Sequence, residues 1–468
     1  MTFNPTFEEY LAEAAGENNA RVALDALSGP ASVSVRLNPS KADKPWDNAA
    51  GQIAGTPTSH VDWSPCGFFL PERPVFTLDP LMHAGCYYVQ DSSAMFVGNV
   101  FRHVLEQLLA THDGTRPLRI LDLCAAPGGK TTDIAASLRM SGCPSWILVS
   151  NEIMKQRATV LADNAGIWGD PSVVVTSADP KAFASMPGWF DIIVADVPCS
   201  GEGMFRKDEE AVAQWSADNV ALCQARQRRI LADVWPALAP DGVMIYSTCT
   251  FNKFENDVNV EWAASELGAE VMAPAIDSQG VLKTNCGFSL IPGLVPGEGQ
   301  YCAALKKTGG PDYGSGKSQA RARNVKEPVL PKNIASGIQD WFNEPVTLAL
   351  KGDMIIAVPE ALGLEIKQLD YLHPLLRGTA AGQLKGKDIV PDADLALSII
   401  FARGVFPEAE LTKEQALAFL HKDTLTLTGA ERGFVLVTYC GHPLGFVKNL
   451  GNRCNNLHPQ NRRIRMNI

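Results

Sequence analysis

Hydrophobic residues in the middle of the chain fall in short runs that alternate with segments of helical periodicity. The predicted strands are 118–123, 145–150, 172–176, 191–195, 242–247 and 301–306. The predicted helices are 94–109, one beginning at Lys130, 155–165, 208–238 and 256–267. This alternation predicts a parallel, doubly wound α/β sheet, in which ligands bind at the carboxyl ends of the strands.

The regions on either side of this sheet have different patterns. The N-terminal region alternates helical periodicity with a strand pattern at 31–37, and it predicts an α+β unit. The C-terminal region combines short strands with helices at 392–401 and 413–420, and it predicts a small α+β or barrel-like domain. A Gly- and Ser-rich stretch that then becomes basic is typical of a linker. The predicted organisation is 1–95 for the N-terminal unit, 96–307 for the sheet domain, 308–328 for the linker and 329–468 for the C-terminal domain.

Composition limits the classes of protein that this chain can belong to. Its 468 residues suffice for two or three domains, and 46% hydrophobic and 20% charged residues are ordinary for a globular protein. No apolar run reaches the length of a membrane span, and the N-terminus lacks the pattern of a signal peptide, so we expect a cytoplasmic protein. Eleven cysteines without a Cys-x-x-Cys pair argue against a disulfide framework and against a metal site.

The net charge of −10 does not by itself indicate a nucleic-acid binder. The charge is unevenly distributed, however, because residues 311–468 contain 19 basic and 16 acidic side chains, whereas residues 1–310 contain 22 and 35. A basic face can bind phosphates on a protein that is acidic as a whole. The basic residues of the C-terminal tail are Arg453, Arg462, Arg463 and Arg465.

A glycine turn follows the first predicted strand of the sheet, in the sequence Cys124-Ala-Ala-Pro-Gly-Gly-Lys130. Glycines let the backbone approach a ligand closely, and the following helix start offers N–H groups. A nucleotide-phosphate loop would require glycine where Cys124 stands, and the dinucleotide spacing Gly-x-Gly-x-x-Gly is absent. The third interpretation is a nucleoside-bearing cofactor without a phosphate to hold.

Acidic residues at the next two strand ends favour the nucleoside cofactor. Glu152 lies about 20 residues beyond the glycine turn, a spacing that suits hydrogen bonds to ribose hydroxyls. Asp179, after the following strand, could meet the amino group of an adenine. Each also has a structural alternative, with Glu152 as an acid near a helix start and Asp179 as a turn former.

Two thiols and a carboxylate follow two further strands. Asp196-Val-Pro-Cys199 comes after one apolar strand, and Ser247-Thr-Cys249 comes after the next. A single cysteine is more often an inert core residue, but two at ligand-lining strand ends indicate chemistry. A thiolate attacks an electron-poor double bond, and nearby cations such as Lys130, Arg206 or Lys207 would lower its pKa.

These motifs resemble those of the NOL1/NOP2/Sun family, the RNA 5-methylcytosine methyltransferases that use S-adenosylmethionine. The segments that carry the resemblance are Cys124–Lys130, Asp196–Gly201, Thr248-Cys249, Val35–Pro39, Gln90–Met95 and Gly203–Asp208. The C-terminal segments 372–374, 386–387, 443–448 and 456–459 resemble the RsmF branch, which carries a PUA-like RNA-binding domain and methylates small-subunit ribosomal RNA.

The resemblance implies a Rossmann-like class I methyltransferase sheet between an N-terminal RNA-binding unit and a PUA-like domain. It implies that Cys249 is the nucleophile that adds to C6 of cytosine and that Cys199 helps to release the product. Asp196 would hydrogen-bond the cytosine ring, and Lys130 would contact the reacting centre or lower the thiol pKa. The implied S-adenosylmethionine site consists of Cys124, Ala125, Ala126, Pro127, Gly128, Gly129, Lys130, Glu152, Arg157, Asp179 and Asp196.

The chain departs from the family pattern at residues 287–302. Basic residues of the family are missing there, and Tyr301-Cys302 replaces an aromatic pair, which puts a substrate phosphate contact in doubt but not the chemistry. The branch resemblance predicts 16S rRNA in the 30S subunit as the partner of a monomeric enzyme, with tRNA as the alternative substrate. One rival function is a catalytically silent RNA-binding assembly factor. Another is a P-loop nucleotide hydrolase, but Cys124 stands where that motif requires glycine.

Overall fold

The computed structural model describes residues 2–42, 59–309, 330, 332–386 and 388–466. Except for residues 308 and 309, the predicted linker 308–328 lies outside the described residues, as does Lys387 of one family-like segment. None of the helices in the described ranges combines the length and apolar content needed to cross a membrane.

Helices occur in all parts of the described chain. They are α1 (Pro5–Ala15), α2 (Glu17–Leu27), α3 (Pro80–His83), α4 (Phe96–Leu109), α5 (Gly129–Met140), α6 (Lys155–Trp168), α7 (Glu209–Gln214), α8 (Ala217–Val234), α9 (Asp257–Leu267), α10 (Lys332–Gln339), α11 (Gly363–Gln368), α12 (Ala393–Leu397) and α13 (Lys413–His421).

The strands before residue 308 are β1 (Val33–Leu37), β2 (Ser59–His60), β3 (Gly67–Leu70), β4 (Tyr87–Val89), β5 (Leu118–Asp122), β6 (Trp146–Asn151), β7 (Val173–Thr176), β8 (Phe190–Asp196), β9 (Leu238–Thr248), β10 (Ala269–Met272), β11 (Leu282–Lys283), β12 (Phe288–Leu290) and β13 (Gln300–Lys307). Those after it are β14 (Val346–Lys351), β15 (Met354–Pro359), β16 (Leu376–Arg377), β17 (Thr379–Lys385), β18 (Asp388–Pro391), β19 (Glu408–Glu410), β20 (Gly433–Tyr439), β21 (His442–Asn449) and β22 (Cys454–Asn456).

The central sheet has the strand order β11-β12-β13-β9-β8-β5-β6-β7-β16, and β10 also pairs with β13. The five strands from β9 to β7 are parallel, but β13 and β16 are antiparallel to their neighbours. The prediction of a parallel sheet is therefore wrong for the last predicted strand, β13, and the sheet is mixed. β13 returns between β12 and β9 and runs antiparallel to both, and β16 is a strand that was not predicted.

The parallel strands place the predicted site residues at one edge. The chain adds β6 and β7 on one side of β5 and then returns to add β8 and β9 on the other side. Ligands of open α/β sheets bind where the order reverses in this way, outside the carboxyl ends of the strands. The ends of β5 and β8 therefore form the centre of the expected site.

The single helix predicted for 208–238 is wrong, because the segment is divided into α7 and α8. Trp215 between them is buried, and its indole N–H donates to Glu202 Oε1 at 3.0 Å. Ser216 then caps α8 by accepting from the N–H of Asn219. Burying the indole of Trp215 and pairing its N–H with Glu202 stabilise the chain more than continuing the helix through residue 215 would.

The helix predicted for 392–401 is correct at its start but ends at Leu397 as α12. The N–H of Ile399 donates to the carbonyl of Gly169 at the end of α6, at 3.0 Å. A contact with a distant element replaces the last helical turn.

Three smaller sheets surround the central sheet, with the orders β2-β3-β1-β4, β14-β15-β17-β18 and β19-β20-β21-β22. The first and the last share one hydrophobic core, in which Phe68 and Leu70 join Phe419 and Val435. The stretch 354–372 packs against the central sheet through side chains such as Ile366. The N- and C-terminal parts therefore pack against the sheet domain and one another.

Candidate active site

The turn after β5 leads into α5 at the centre of the site edge. Gly128, the N-cap of α5, has a left-handed conformation with φ 115°, which favours glycine. The N–H of Ala125 donates to the carbonyl of Asn151 at 2.8 Å, which ties the turn to the end of β6. The N–H groups of the first turn of α5 have no acceptor within the helix, so they can meet a ligand.

The carboxylate of Asp196 at the end of β8 is held by donors from three elements. Lys130 of α5 pairs with it, with Nζ to Oδ2 at 2.8 Å. Its Oδ1 accepts from Ser247 Oγ at 2.7 Å and from Gln300 Nε2 at 3.1 Å. Burial lowers the pKa of Lys130, but the charge and hydrogen bond of Asp196 outweigh it and leave that pKa raised. Lys130 is therefore cationic at neutral pH beside a fixed carboxylate.

Cys199 and Cys249 come together at the ends of β8 and β9, with the two Sγ atoms 3.2 Å apart. Asp196 and Ser247 are register partners in these strands, so the two loops leave the sheet side by side. The hydrogen bond with Cys249, and then burial, raise the pKa of the Cys199 thiol. Cys249 also interacts with the Lys130 charge.

A buried hydrogen-bond network joins the loop after β8 to the loop after β9. Glu255 Oε2 accepts from the N–H of Ser200 at 3.0 Å and from Gln227 Nε2 at 2.7 Å. Asn252 Nδ2 lies between two carboxylates, at 2.9 Å from Glu202 Oε1 and from Glu255 Oε1. Buried polar groups that are satisfied in this way fix one arrangement, and here they keep the thiols in contact.

Glu152 and Arg157 connect the end of β6 to the glycine turn. Arg157 Nη1 lies 3.1 Å from Glu152 Oε2, and its Nη2 donates to the carbonyl of Ala126 at 2.8 Å. Glu152 Oε1 accepts from the N–H of Met154 at 2.9 Å, before α6 begins. Glu152 thus has the structural role of an acid near a helix start, which was the alternative to binding ribose. Its contact with ribose remains a prediction.

Asp179 lies beyond the end of β7, at the same edge. It is exposed, and its Oδ1 accepts from the N–H of Lys181 at 3.0 Å to start a 3-10 turn. This is the turn-forming role expected as its alternative, and its contact with adenine remains a prediction.

Asp122, the last residue of β5, lies beneath the glycine turn. Burial raises its pKa to about 7, although Thr131 Oγ1 donates to its Oδ2 at 2.6 Å. Its Oδ1 is buried and has no hydrogen-bond partner among the described residues. Burial, and then the nearby Asp196, likewise raise the pKa of the Cys124 thiol.

The structure brings the predicted glycine turn, both cysteines, Asp196 and Lys130 to one edge, and it places Glu152 and Arg157 beside the turn. Their catalytic and cofactor roles remain predictions. The residues that the sequence did not single out are Ser247, Gln300 and Asp122. Ser247 and Asp122 lie at the ends of predicted strands, and this position alone could have marked them as candidate site residues. Nothing in the sequence near Gln300 indicates its contact with Asp196.

Three family models match most of the chain. They are described as "16S rRNA methyltransferase RsmB/F" over residues 106–306, "N-terminal domain of 16S rRNA methyltransferase RsmF" over 3–92 and "Methyltransferase RsmF PUA domain" over 406–464.

Whole-length relatives are also similar. The chain is 30% identical to ribosomal RNA small subunit methyltransferase F of Cronobacter sakazakii, over 93% of this chain and 91% of that protein. It is 28% identical to the protein of the same name in Shewanella baltica, again over 93% and 91%.

Two solved structures share the fold. One is a methyltransferase homolog protein from Pyrococcus horikoshii, with 22% identity, a TM-score of 0.53 and coverage of 65% of this chain and 95% of that one. The other is NSun6 from Pyrococcus horikoshii with SFG, with 17% identity, a TM-score of 0.54 and coverage of 66% and 99%.

Proposed function

Because this chain belongs to the RsmF branch of the RsmB/F family of 16S rRNA methyltransferases, we propose that it transfers a methyl group from S-adenosylmethionine to C5 of a cytosine in 16S rRNA. The family membership confirms the resemblance seen in the motifs, and it identifies a class I methyltransferase sheet with an N-terminal domain and a C-terminal PUA domain. The observation that carries the proposal is the thiol pair, 3.2 Å apart beside the Lys130–Asp196 ion pair.

Cys249 is the nucleophile of the proposed reaction. Its thiolate adds to C6 of the cytosine, and this addition makes C5 nucleophilic. The cationic Lys130 interacts electrostatically with Cys249 beside the reacting centre. Asp196 hydrogen-bonds the cytosine ring. Attack at C6 develops negative charge at N3, and the ion pair of Asp196 with the cationic Lys130 supports that charge.

Cys199 acts after methyl transfer, when the C5 proton must leave and Cys249 must be eliminated from C6. Its Sγ contacts Cys249 Sγ, so it lies within reach of the covalent adduct. Cys199 first loses its thiol proton to solvent. Because the hydrogen bond with Cys249 and burial raise its pKa, the resulting thiolate is a strong base, and it takes the C5 proton as the C5–C6 double bond re-forms and Cys249 leaves. Elimination regenerates the Cys249 thiolate and frees 5-methylcytosine.

The residues at the strand ends fit S-adenosylmethionine. When bound, this cofactor supplies a methyl group activated by a sulfonium. Asp122, Glu152, Asp179 and Asp196 end four neighbouring strands or follow them, and carboxylates suit a ligand with cationic sulfonium and ammonium groups better than a phosphate. The buried Asp122 Oδ1 without a partner among the described residues suits such a ligand. We propose that residues 124–130 hold the methionine portion, with Arg157 supporting the turn and Glu152.

The remaining parts of the chain hold RNA in this proposal. The target base must leave its stack, which costs a few kcal/mol in a duplex. The N-terminal unit (1–95) and the C-terminal domain (329–468) contact the flanking RNA mainly through phosphates, so binding weakens as salt rises. The enzyme acts as a monomer on the 30S particle in the cytoplasm.

The test is incubation with methyl-labelled S-adenosylmethionine and, separately, 16S rRNA, 30S particles and tRNA. We expect label in 16S rRNA or 30S particles, at a position that mapping identifies as 5-methylcytosine, and only background label with Cys249→Ala. Label in tRNA alone would overturn the proposed substrate. RNA binding without methyl transfer to any of the three would favour a catalytically silent assembly factor.

A further inference from the structure

The N-terminal unit lies against the back of the glycine turn through a buried arginine. Arg36, on β1, is 1% exposed. Its Nη2 donates to the carbonyl of Gly129 at 3.2 Å and to Thr132 Oγ1 at 2.5 Å, and its Nη1 donates to the carbonyl of Thr132 at 3.3 Å. One guanidinium therefore contacts two residues of the first turn of α5, Gly129 and Thr132.

Other side chains keep this guanidinium in place. Arg36 Nε donates to Gln90 Oε1 at 2.7 Å, and Asp133 of α5 lies 3.8 Å from the same nitrogen. The ring of Trp168 lies 5.0 Å from the guanidinium carbon. A planar group with five donors can hold several acceptors at fixed angles, which an ammonium cannot do.

A second residue of the N-terminal unit contacts the turn itself. The hydroxyl of Tyr88, on β4, donates to the carbonyl of Pro127 at 3.1 Å, and Asn164 Nδ2 donates to the same carbonyl at 2.8 Å. A Cβ at Gly129 would lie 3.5 Å from Tyr88 Cε1, so β4 is in van der Waals range of the turn.

These contacts help to hold the backbone of the turn. The carbonyls of Pro127 and Gly129 accept hydrogen bonds from Tyr88 and Arg36 of the N-terminal unit. The N–H groups at the start of α5, which the helix leaves unsatisfied, are the groups available to a ligand. Because the backbone of the turn is already held in place, a ligand does not have to order it on binding, and its affinity is higher.

We propose that Arg36, assisted by Tyr88, is a positioning residue for the cofactor, so that the N-terminal unit completes the S-adenosylmethionine site from behind. The inference rests on the proposed function, because it assigns the cofactor to residues 124–130. Arg36 touches neither RNA nor cofactor, and its effect passes through the backbone of the turn.

Arg102 supplies a matched control. It is a half-buried arginine on α4 that lies beside the same Asp133, with Nη1 to Oδ1 at 3.7 Å. Its other contacts are with Ser137, two turns farther along α5 than Gly129, and with the carbonyl of Trp63. Replacing it with lysine keeps the charge and removes guanidinium contacts beside the same Asp133, without removing a contact to the turn.

The experiment compares Arg36→Lys, Tyr88→Phe and Arg102→Lys in the full-length chain. We measure the Kd for S-adenosylmethionine by calorimetry without RNA, KM for cofactor and for RNA, kcat and thermal stability. For Arg36→Lys we expect the Kd and KM for cofactor to rise about tenfold, since a lysine keeps only one of the contacts. For Tyr88→Phe we expect about a threefold rise, because Asn164 still donates to Pro127. The KM for RNA stays unchanged, and Arg102→Lys loses stability without losing cofactor affinity.

Two outcomes would overturn the inference. One is wild-type cofactor affinity in a folded Arg36→Lys, and the other is an equal loss of affinity in Arg36→Lys and Arg102→Lys. If Arg36→Lys does not fold, the Kd of Tyr88→Phe for S-adenosylmethionine decides instead, and wild-type affinity in that variant would overturn the inference. Tyr88→Phe removes only a half-buried hydroxyl. Failure of the wild-type protein to bind S-adenosylmethionine would instead overturn the proposed function, and with it this inference.

Discussion

The two thiols of the site face opposite charges although they touch each other. Cys249 interacts with the cationic Lys130, whereas Cys199 interacts with the carboxyl group of Glu255. The hydrogen bond with Cys249, burial and the nearby Glu255 raise the pKa of the Cys199 thiol. The raised pKa supports Cys199 as the group that handles the proton.

Replacing each cysteine in turn tests this division of labour. We expect Cys199→Ala to add to C6 but to release product slowly, so that a covalent protein–RNA adduct accumulates. Cys249→Ala forms no adduct and no product. Denaturing gel electrophoresis with labelled RNA measures the adduct. An adduct in Cys249→Ala and none in Cys199→Ala would exchange the two roles.

At the residue scale, the sequence identified the reactive groups better than it identified their partners. Cys199, Cys249, Asp196 and Lys130 stand in motifs at strand ends, and the structure brings them together. Gln300 could not be found, because its contact with Asp196 depends on β13 returning beside β9 in a direction that the sequence does not show.

The junction of β5 with α5 contains a carboxyl group with an unusual ionisation. Burial raises the pKa of Asp122 to about 7, from an ordinary value of 3.8. A folded-state pKa above the unfolded value means that the folded protein binds the proton more tightly. The stability that Asp122 contributes is therefore full below about pH 4 and is lost as the pH rises to about 7.

Asp122→Asn removes this titration while keeping an acceptor for the Thr131 hydroxyl. We expect the free energy of unfolding of the variant, relative to wild type, to increase between pH 4 and 7 by on the order of 4 kcal/mol. Urea denaturation at a series of pH values measures the difference, in which the other titrating groups cancel. A difference that stays constant from pH 4 to 8 would contradict the assignment.

At the element scale, repeating patterns were predicted well and interruptions were not. The strands β5 to β9 and helices α5, α6 and α9 all correspond to predicted segments, because buried strands and amphipathic helices have strong periodicity. The break between α7 and α8 depends on Glu202 accepting from the indole of Trp215, a contact between residues that no local pattern links.

The whole molecule is held together by contacts that cross its sequence-defined parts. Arg462, near the C-terminus, pairs with Asp163 of α6 at 3.2 Å and with Asp394 of α12 at 2.6 Å. Its side chain is only 12% exposed. Although it belongs to the basic tail, this arginine is committed to structure, whereas Arg453, Arg463 and Arg465 are exposed.

Replacing Arg462 measures how much this junction contributes. We expect Arg462→Gln to lower the free energy of unfolding by about 3 kcal/mol, because the partly buried Asp394 loses its cationic partner and Asp163 keeps only the amide of Asn461 among the described residues. The control is Arg465→Gln at an exposed position, where we expect a change below about 0.5 kcal/mol. Chemical denaturation of both variants gives the values, and equal effects would show that Arg462 does not join the parts.

The pairing of β16 with β7 has a consequence for the protein while it is being made. With β13 in place, every strand of the central sheet up to residue 307 has been synthesised, yet the open side of β7 still exposes unpaired backbone groups. Its cover, Leu376–Arg377, emerges 70 residues later, which takes roughly 4 to 14 seconds at ordinary translation rates. Exposed sheet edges recruit other chains. During this interval the parallel strands of the sheet are complete, but the segment that covers the β7 edge has not yet been synthesised.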